Sequence, residues 1–153
     1  MEYLIRAARV TDIDRFVALI DGSTIGRGES PIGAADLMRQ LVYLPQASIV
    51  VAESRRVVVG GAILALRPSV RAGGYVGTVD VLVVDPEYDA DRITEALLEE
   101  LLRSASNKGC TVVEAERPDD PAAFARWERL GFGQAGLNIQ KSVTAAGAVR
   151  RQS

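Results

Sequence analysis

The chain has 153 residues, 48% hydrophobic and 25% charged, a length and balance that suit one globular domain with its own core. Its 18 Lys and Arg against 20 Asp and Glu leave a net charge of -2, which gives no electrostatic case for nucleic acid or an anionic membrane as partner. It has no histidine, so imidazole metal sites, His-based triads and imidazole proton shuttles are excluded together, and no metal is expected.

Tyr3 to Ala8 is short and largely apolar and is expected to be the first strand. Thr11-Asp12-Ile13-Asp14 reads as a helix start, with Thr11 as cap and Asp14 three residues on. Ile13, Phe16, Val17 and Ile20 follow at helical spacing, and Gly22 stands where the helix would stop. The glycine-bearing stretch from Ser23 to Gly33 is expected to be a loop; no strand precedes Gly26-Arg27-Gly28, so it reads as a connector, not a nucleotide turn. Ser30-Pro31 gives cap and first-turn signals for a second helix, with Leu37, Met38, Leu41 and Val42 facing inward and Pro45 ending it.

Two β-rich runs come next, Ile49 to Ala52 and Val57 to Leu66, separated by Glu53-Ser54-Arg55-Arg56, a length that suits a hairpin. After a turn from Pro68 to Gly74, Tyr75 to Val84 is a further strand, and such short connections imply an antiparallel meander. Past Asp85-Pro86 the period changes. Ile93, Leu97, Leu98, Leu101, Leu102 and Ala105 share one helix face, and Asn107-Lys108-Gly109 ends it. Cys110 to Ala115 is then a strand, and strand–helix–strand implies a parallel pair with a right-handed crossover. Pro121 to Leu130 is a short helix closed by Gly131, Phe132 to Val143 is expected to supply one or two final strands, and 144–153 reads as a polar tail behind a single domain at 1–143. The one cysteine excludes an internal disulfide and fits a reducing compartment. No apolar run nears the ~20 residues of a membrane span, and the N-terminus lacks a signal-peptide layout, so the expected location is the cytoplasm.

Two landmarks stand out in this order of elements. One is Val81-Leu82-Val83-Val84-Asp85-Pro86-Glu87-Tyr88 leading into Ala96-Leu97-Leu98-Glu99-Glu100-Leu101-Leu102; the other is Trp127-Glu128-Arg129-Leu130-Gly131-Phe132. Together they make the chain, from about Tyr3 to Val143, resemble the GNAT superfamily of acyl-CoA-dependent N-acetyltransferases. The resemblance implies an α/β (α+β) fold, a central mostly antiparallel sheet with one parallel strand pair, flanked by helices. It implies acetyl-CoA as co-substrate, a primary amine of a small molecule or peptide as acceptor, and a possible homodimer.

In that family the loop after the fourth strand normally reads Arg/Gln-x-x-Gly-x-Gly/Ala, and its amides hold the CoA pyrophosphate. Glycines let the backbone approach phosphate, and the helix N-terminus adds partial positive charge. Here the loop is Asp89-Ala90-Asp91-Arg92-Ile93-Thr94, with Asp89, Arg92 and Thr94 in the three signature slots. Asp89 and Asp91 bring carboxylates toward the pyrophosphate position, where each like-charge contact at ~4–6 Å costs on the order of a few kcal/mol. The same aspartates suit an ordinary helix cap. Arg92 would offset part of the repulsion.

The family commonly draws its base from the strand before this loop, and Asp80 is the acid in that apolar run; burial there would raise its pKa. Glu114 and Glu116 are alternatives. The oxyanion donors implied by the resemblance are the amides of Leu82 or Val83, with Val84 beside them. Trp127 stands where the family carries a tyrosine acid, and indole N–H is no usable acid, so it either lines a pantetheine arm or anchors the helix. Cys110 reads as a small buried residue. Two functions are therefore open: an N-acetyltransferase with a weak cofactor loop, or a degenerate relative acting as ligand sensor or interaction module.

Overall fold

The computed structural model describes residues 2–23, 33–134, 136, 139, 141 and 142. Five strands, β1 (Leu4–Ala7), β2 (Ala47–Ser54), β3 (Val57–Ser69), β4 (Gly74–Val84) and β5 (Cys110–Ala115), lie in that order in one sheet. The first three interfaces are antiparallel: short turns make hairpins of β2–β3 and β3–β4, while β1 is joined to β2 through two helices. β4 and β5 are parallel because helix α3 (Ala90–Asn107) carries the chain back between them. The β2–β3 hairpin turns on Arg55 and Arg56 alone, both left-handed at φ 51 and 66, a conformation usually given to Asn-Gly and costing about 1–2 kcal/mol per ordinary residue.

Alternating side chains supply both faces of the sheet. Helices α1 (Ile13–Asp21) and α2 (Ala34–Val42) cover one face through Ile13, Phe16, Leu19, Ile20 and Met38, packed on Val51, Ile63 and Val83. On the other face α3 sets Ile93, Leu97, Leu98 and Leu101 against Ala52, Val59, Ala62 and Leu64, and Trp127 of helix α4 (Pro121–Glu128) joins that cluster. Each fully buried aliphatic side chain contributes about 1.5–3 kcal/mol. Gly60 and Gly61 sit in the central strand where the two helix layers approach most closely. A methyl at Gly61 would stand 2.7 Å from two atoms of the Phe16 ring, and one at Gly60 2.9 Å from Ile93 Cγ2.

The start of α1 differs from expectation. Val10–Asp12 forms a 3-10 turn, and Asp12, not Thr11, is the N-cap residue. The Asp12 carboxylate is turned away from the helix amides: it accepts from Arg6 Nη1 (2.7 Å), Arg6 Nη2 (3.0 Å) and the Arg9 amide (2.8 Å). This nearly buried pair ties β1 to the helix entrance, because a bidentate guanidinium outcompetes a single backbone amide. The expected connector at Ser23 to Gly33 and the Ser30-Pro31 helix start lie mostly outside the described residues, and the described α2 begins at Ala34 with Gly33 as N-cap. The final strands expected from Phe132 to Val143 also lie largely outside them; the described residues there belong to no strand. The domain end at 143 and the tail at 144–153 lie outside as well. Among the described residues no helix is long and apolar enough to cross a membrane.

Replacing Gly61 by Ala is expected to lower stability by about 1–3 kcal/mol, read by urea unfolding, since Phe16 has no free space to withdraw into. The Arg6 guanidinium holds the Asp12 carboxyl below its ordinary value. The folded chain therefore gives up that proton more readily than the unfolded one. This stabilisation is complete above about pH 4 and drains away as pH falls through the lowered Asp12 value. Asp12→Asn should remove about 3 kcal/mol at pH 7 and flatten this part of the acid-unfolding curve. An unchanged acid limb in the variant would show that Asp12 contributes nothing to it.

Candidate active site

The β4–β5 pairing stops early. Its register runs from Tyr75 opposite Cys110 to Val79 opposite Ala115, while β4 continues for five residues along β3, to Val84 opposite Gly60. β5 thus leaves β4 at Val79, and the strands part around a cleft of about 630 Å³. Asp80, Leu82 and Val84 line one wall; Ala115, Glu116 and Arg117 with Ala123, Arg126 and Trp127 of α4 line the other; Ala90 and Thr94 of α3 stand at one end.

The phase of the β3–β4 ladder decides which main-chain groups face this cleft. The amide of Asp85 donates to the Val59 carbonyl at 2.8 Å. Antiparallel pairs alternate, so Val83 and Val81 also turn their amides and carbonyls to β3, while those of Leu82 and Val84 point away from β3 into the gap left by β5. Val83 is thereby removed from the expected oxyanion donors. Its amide serves the sheet, and its side chain packs under α1. Leu82 and Val84 offer main-chain donors and acceptors with no neighbouring strand.

Asp80 owes its place to a bulge. Ile63 pairs with Val81 and Leu64 with Val79, leaving Asp80 as the extra residue of β4. A bulge re-aims a side chain, and here it sets a carboxylate at the cleft wall. Asp80 is exposed and not buried, because β5 has already departed at this level. Of the alternatives, Glu116 lines the same cleft, whereas Glu114 does not and pairs with Arg67 at 3.4 Å.

The loop into α3 is fixed from several sides. The Asp85 carboxylate accepts from Arg15 Nη2 at 2.8 Å and from the Glu87 amide at 3.0 Å, and Arg15 Nε also donates to the Val58 carbonyl. Asp89 is the N-cap of α3: its carboxylate accepts from the Arg92 amide at 3.2 Å, while its carbonyl accepts from the Ile93 amide at 3.0 Å. A negative charge of the chain itself thus stands on the first-turn donors. Ile93 is fully buried and Thr94 nearly so, and Arg92 is exposed and does not line the cleft. Asp91 is bonded to Arg126 of α4, through both Nε and Nη2 on one carboxylate oxygen.

Arg126 was not singled out by sequence reasoning. One signal was present in retrospect: it shares a helix face with Ala123 and Trp127 at i, i+3 and i+4 spacing. Trp127 is 9% exposed and meets Phe132 edge-on, with ring centroids 5.1 Å apart. It anchors α4 to the core and lines the cleft at once. Half-buried Cys110, the first residue of β5, packs against the core, and burial pushes its thiol pKa up, against a smaller lowering by Lys108, so it is not an activated nucleophile.

The acetyltransferase (GNAT) family profile matches residues 16–132 of this chain. The chain belongs to that family. A glucosamine 6-phosphate N-acetyltransferase of Trypanosoma brucei brucei is 34% identical over 76 residues, which is 49% of this chain and 50% of that protein, so the chain covers about half the length of this curated relative. Among solved structures, a transcriptional regulator from Bacillus halodurans C-125 has a TM-score of 0.80 at 17% identity, covering 93% of this chain and 100% of that one. Glucosamine-6-phosphate N-acetyltransferase from Arabidopsis thaliana has a TM-score of 0.74 at 16% identity, covering 94% and 100%. At these identities the two structures establish the fold, and the mixed five-stranded sheet with its helices is the GNAT fold.

Proposed function

We propose that this GNAT-family chain is an N-acetyltransferase that moves an acetyl group from acetyl-CoA to a primary amine of a small molecule or peptide. The observation that carries this reading is the parting of β4 and β5 beyond Val79, which leaves the main-chain groups of Leu82 and Val84 facing a cleft beside α3. The residues fit the pantetheine arm well, since its amides match strand-edge donors and acceptors. They fit the diphosphate less well, because Asp89 already accepts the Arg92 amide. When bound, acetyl-CoA supplies an activated acyl thioester.

The chain's own residues would divide the remaining work. The Leu82 amide is aimed to hold the thioester carbonyl oxygen. Asp80, held at the cleft wall by its bulge, would take a proton from the substrate ammonium, directly or through one water, leaving the neutral amine to attack the thioester carbon. Trp127 would line the pantetheine arm, and since its indole N–H is no acid the leaving thiolate would take its proton from Asp80 or a solvent water. The Trypanosoma brucei brucei relative is a glucosamine 6-phosphate N-acetyltransferase, which makes glucosamine 6-phosphate the first acceptor to try. The Asp89 cap favours a second reading, a catalytically degenerate relative that serves as a ligand sensor or interaction module.

Isothermal titration with acetyl-CoA separates the two: micromolar binding supports the enzyme, and no binding at millimolar cofactor rejects it. Asp89→Asn keeps a good cap and removes the charge, so it should tighten CoA binding by about three- to tenfold. Unchanged affinity would mean that the loop never meets the diphosphate. With an accepted amine in hand, Asp80→Asn should lower kcat by about a hundredfold or more and leave the CoA dissociation constant in place. A kcat within twofold of the unaltered chain would remove Asp80 from the mechanism.

A further inference from the structure

We infer that Arg126 is the side chain that takes the CoA diphosphate, an α4 arginine standing in for the missing loop glycines and basic residue; the inference rests on the acetyl-CoA reading above. Three observations converge on it. Arg126 lines the cleft directly across from Ala90 and Thr94, in the first turn of α3, whereas Arg92 is exposed and lines no part of it. Its side chain is only 22% exposed, so most of it lies against the protein at the mouth. Its one charged partner among the described residues is Asp91, whose own side chain is 63% exposed, and both contacts fall on a single carboxylate oxygen from Nε and Nη2. Nη1 has no hydrogen bond to any described residue.

An ion pair with a well-solvated carboxylate is weak and easily exchanged. A diphosphate entering between α3 and α4 offers more negative charge and several oxygens to the same fork. Asp91 then acts as a holder: it keeps Arg126 extended toward the mouth and releases it to the ligand, at the cost of lowering affinity by competing for it. A purely structural role for the pair, tying α4 to α3, makes a different prediction. Removing either partner would break the tie, so both variants would weaken binding alike.

The test is titration of the full chain and its variants with two probes, CoA and pantetheine, the latter lacking the diphosphate. Arg126→Gln should raise the CoA dissociation constant about tenfold or more and leave pantetheine unchanged. Asp91→Asn should move CoA the other way, tightening it about three- to tenfold, and Arg126→Lys should fall between the unaltered chain and Arg126→Gln. Equal losses for CoA and pantetheine in Arg126→Gln, or weaker CoA binding in Asp91→Asn, overturn the assignment. An unaltered chain that binds CoA while Arg126→Gln binds it equally well overturns it too and leaves the acetyl-CoA reading standing. Failure of the unaltered chain to bind CoA removes that reading, and this one with it.

Discussion

The constraint on which the site depends is that β4 stays bonded to β3 along its full length while β5 lets go of it at Val79. β3 is held from both sides of the sheet, with α1 pressing on Gly61 through Phe16 and α3 pressing on Gly60 through Ile93. β4 inherits that rigidity through its ladder. β5 has no such support beyond Ala115, where the chain turns toward α4. The cleft is therefore a rigid wall facing a separately built one. An edge of unpaired backbone groups would ordinarily invite another strand. Here the opposite wall of α4 and the mouth at α3 narrow it to the dimensions of a ligand.

Electrostatics at the mouth pull in two directions. The amino end of α3 is positive by its dipole, yet Asp89 and Asp91 place two carboxylates within its first turn. Both are already engaged, Asp89 with the Arg92 amide, which leaves its charge in place, and Asp91 with the Arg126 cation. The end of the helix has the character of a self-satisfied cap. Affinity for an anion there depends on how cheaply those internal contacts exchange for external ones.

Much of the fold was legible because its signals are local. The change from period two to period 3.6 at Asp85-Pro86 located the strand, loop and helix correctly, and burial of Ile93, Leu97, Leu98, Leu101 and Ala105 follows that stripe. The meander followed from connection lengths. Local rules failed where a distant group competed. Thr11 lost the cap of α1 because Arg6, from β1, fixed the Asp12 carboxylate and with it the entry of the chain. Whether Asp80 is buried or exposed was not legible, since a bulge and the departure of β5 are pairing events that no run of residues announces.

The sequence by itself determined the order and type of the elements, the absence of imidazole chemistry, and the acidic character of the loop at Asp89 and Asp91. These depend on composition and on spacing within single elements. Only the tertiary structure decided that Leu82 and not Val83 faces the cleft, and that Arg126 crosses from α4 to meet Asp91. The reason is physical: hydrogen-bond phase and ion-pair choice are settled between elements far apart in sequence, where the nearest partner in space takes the bond.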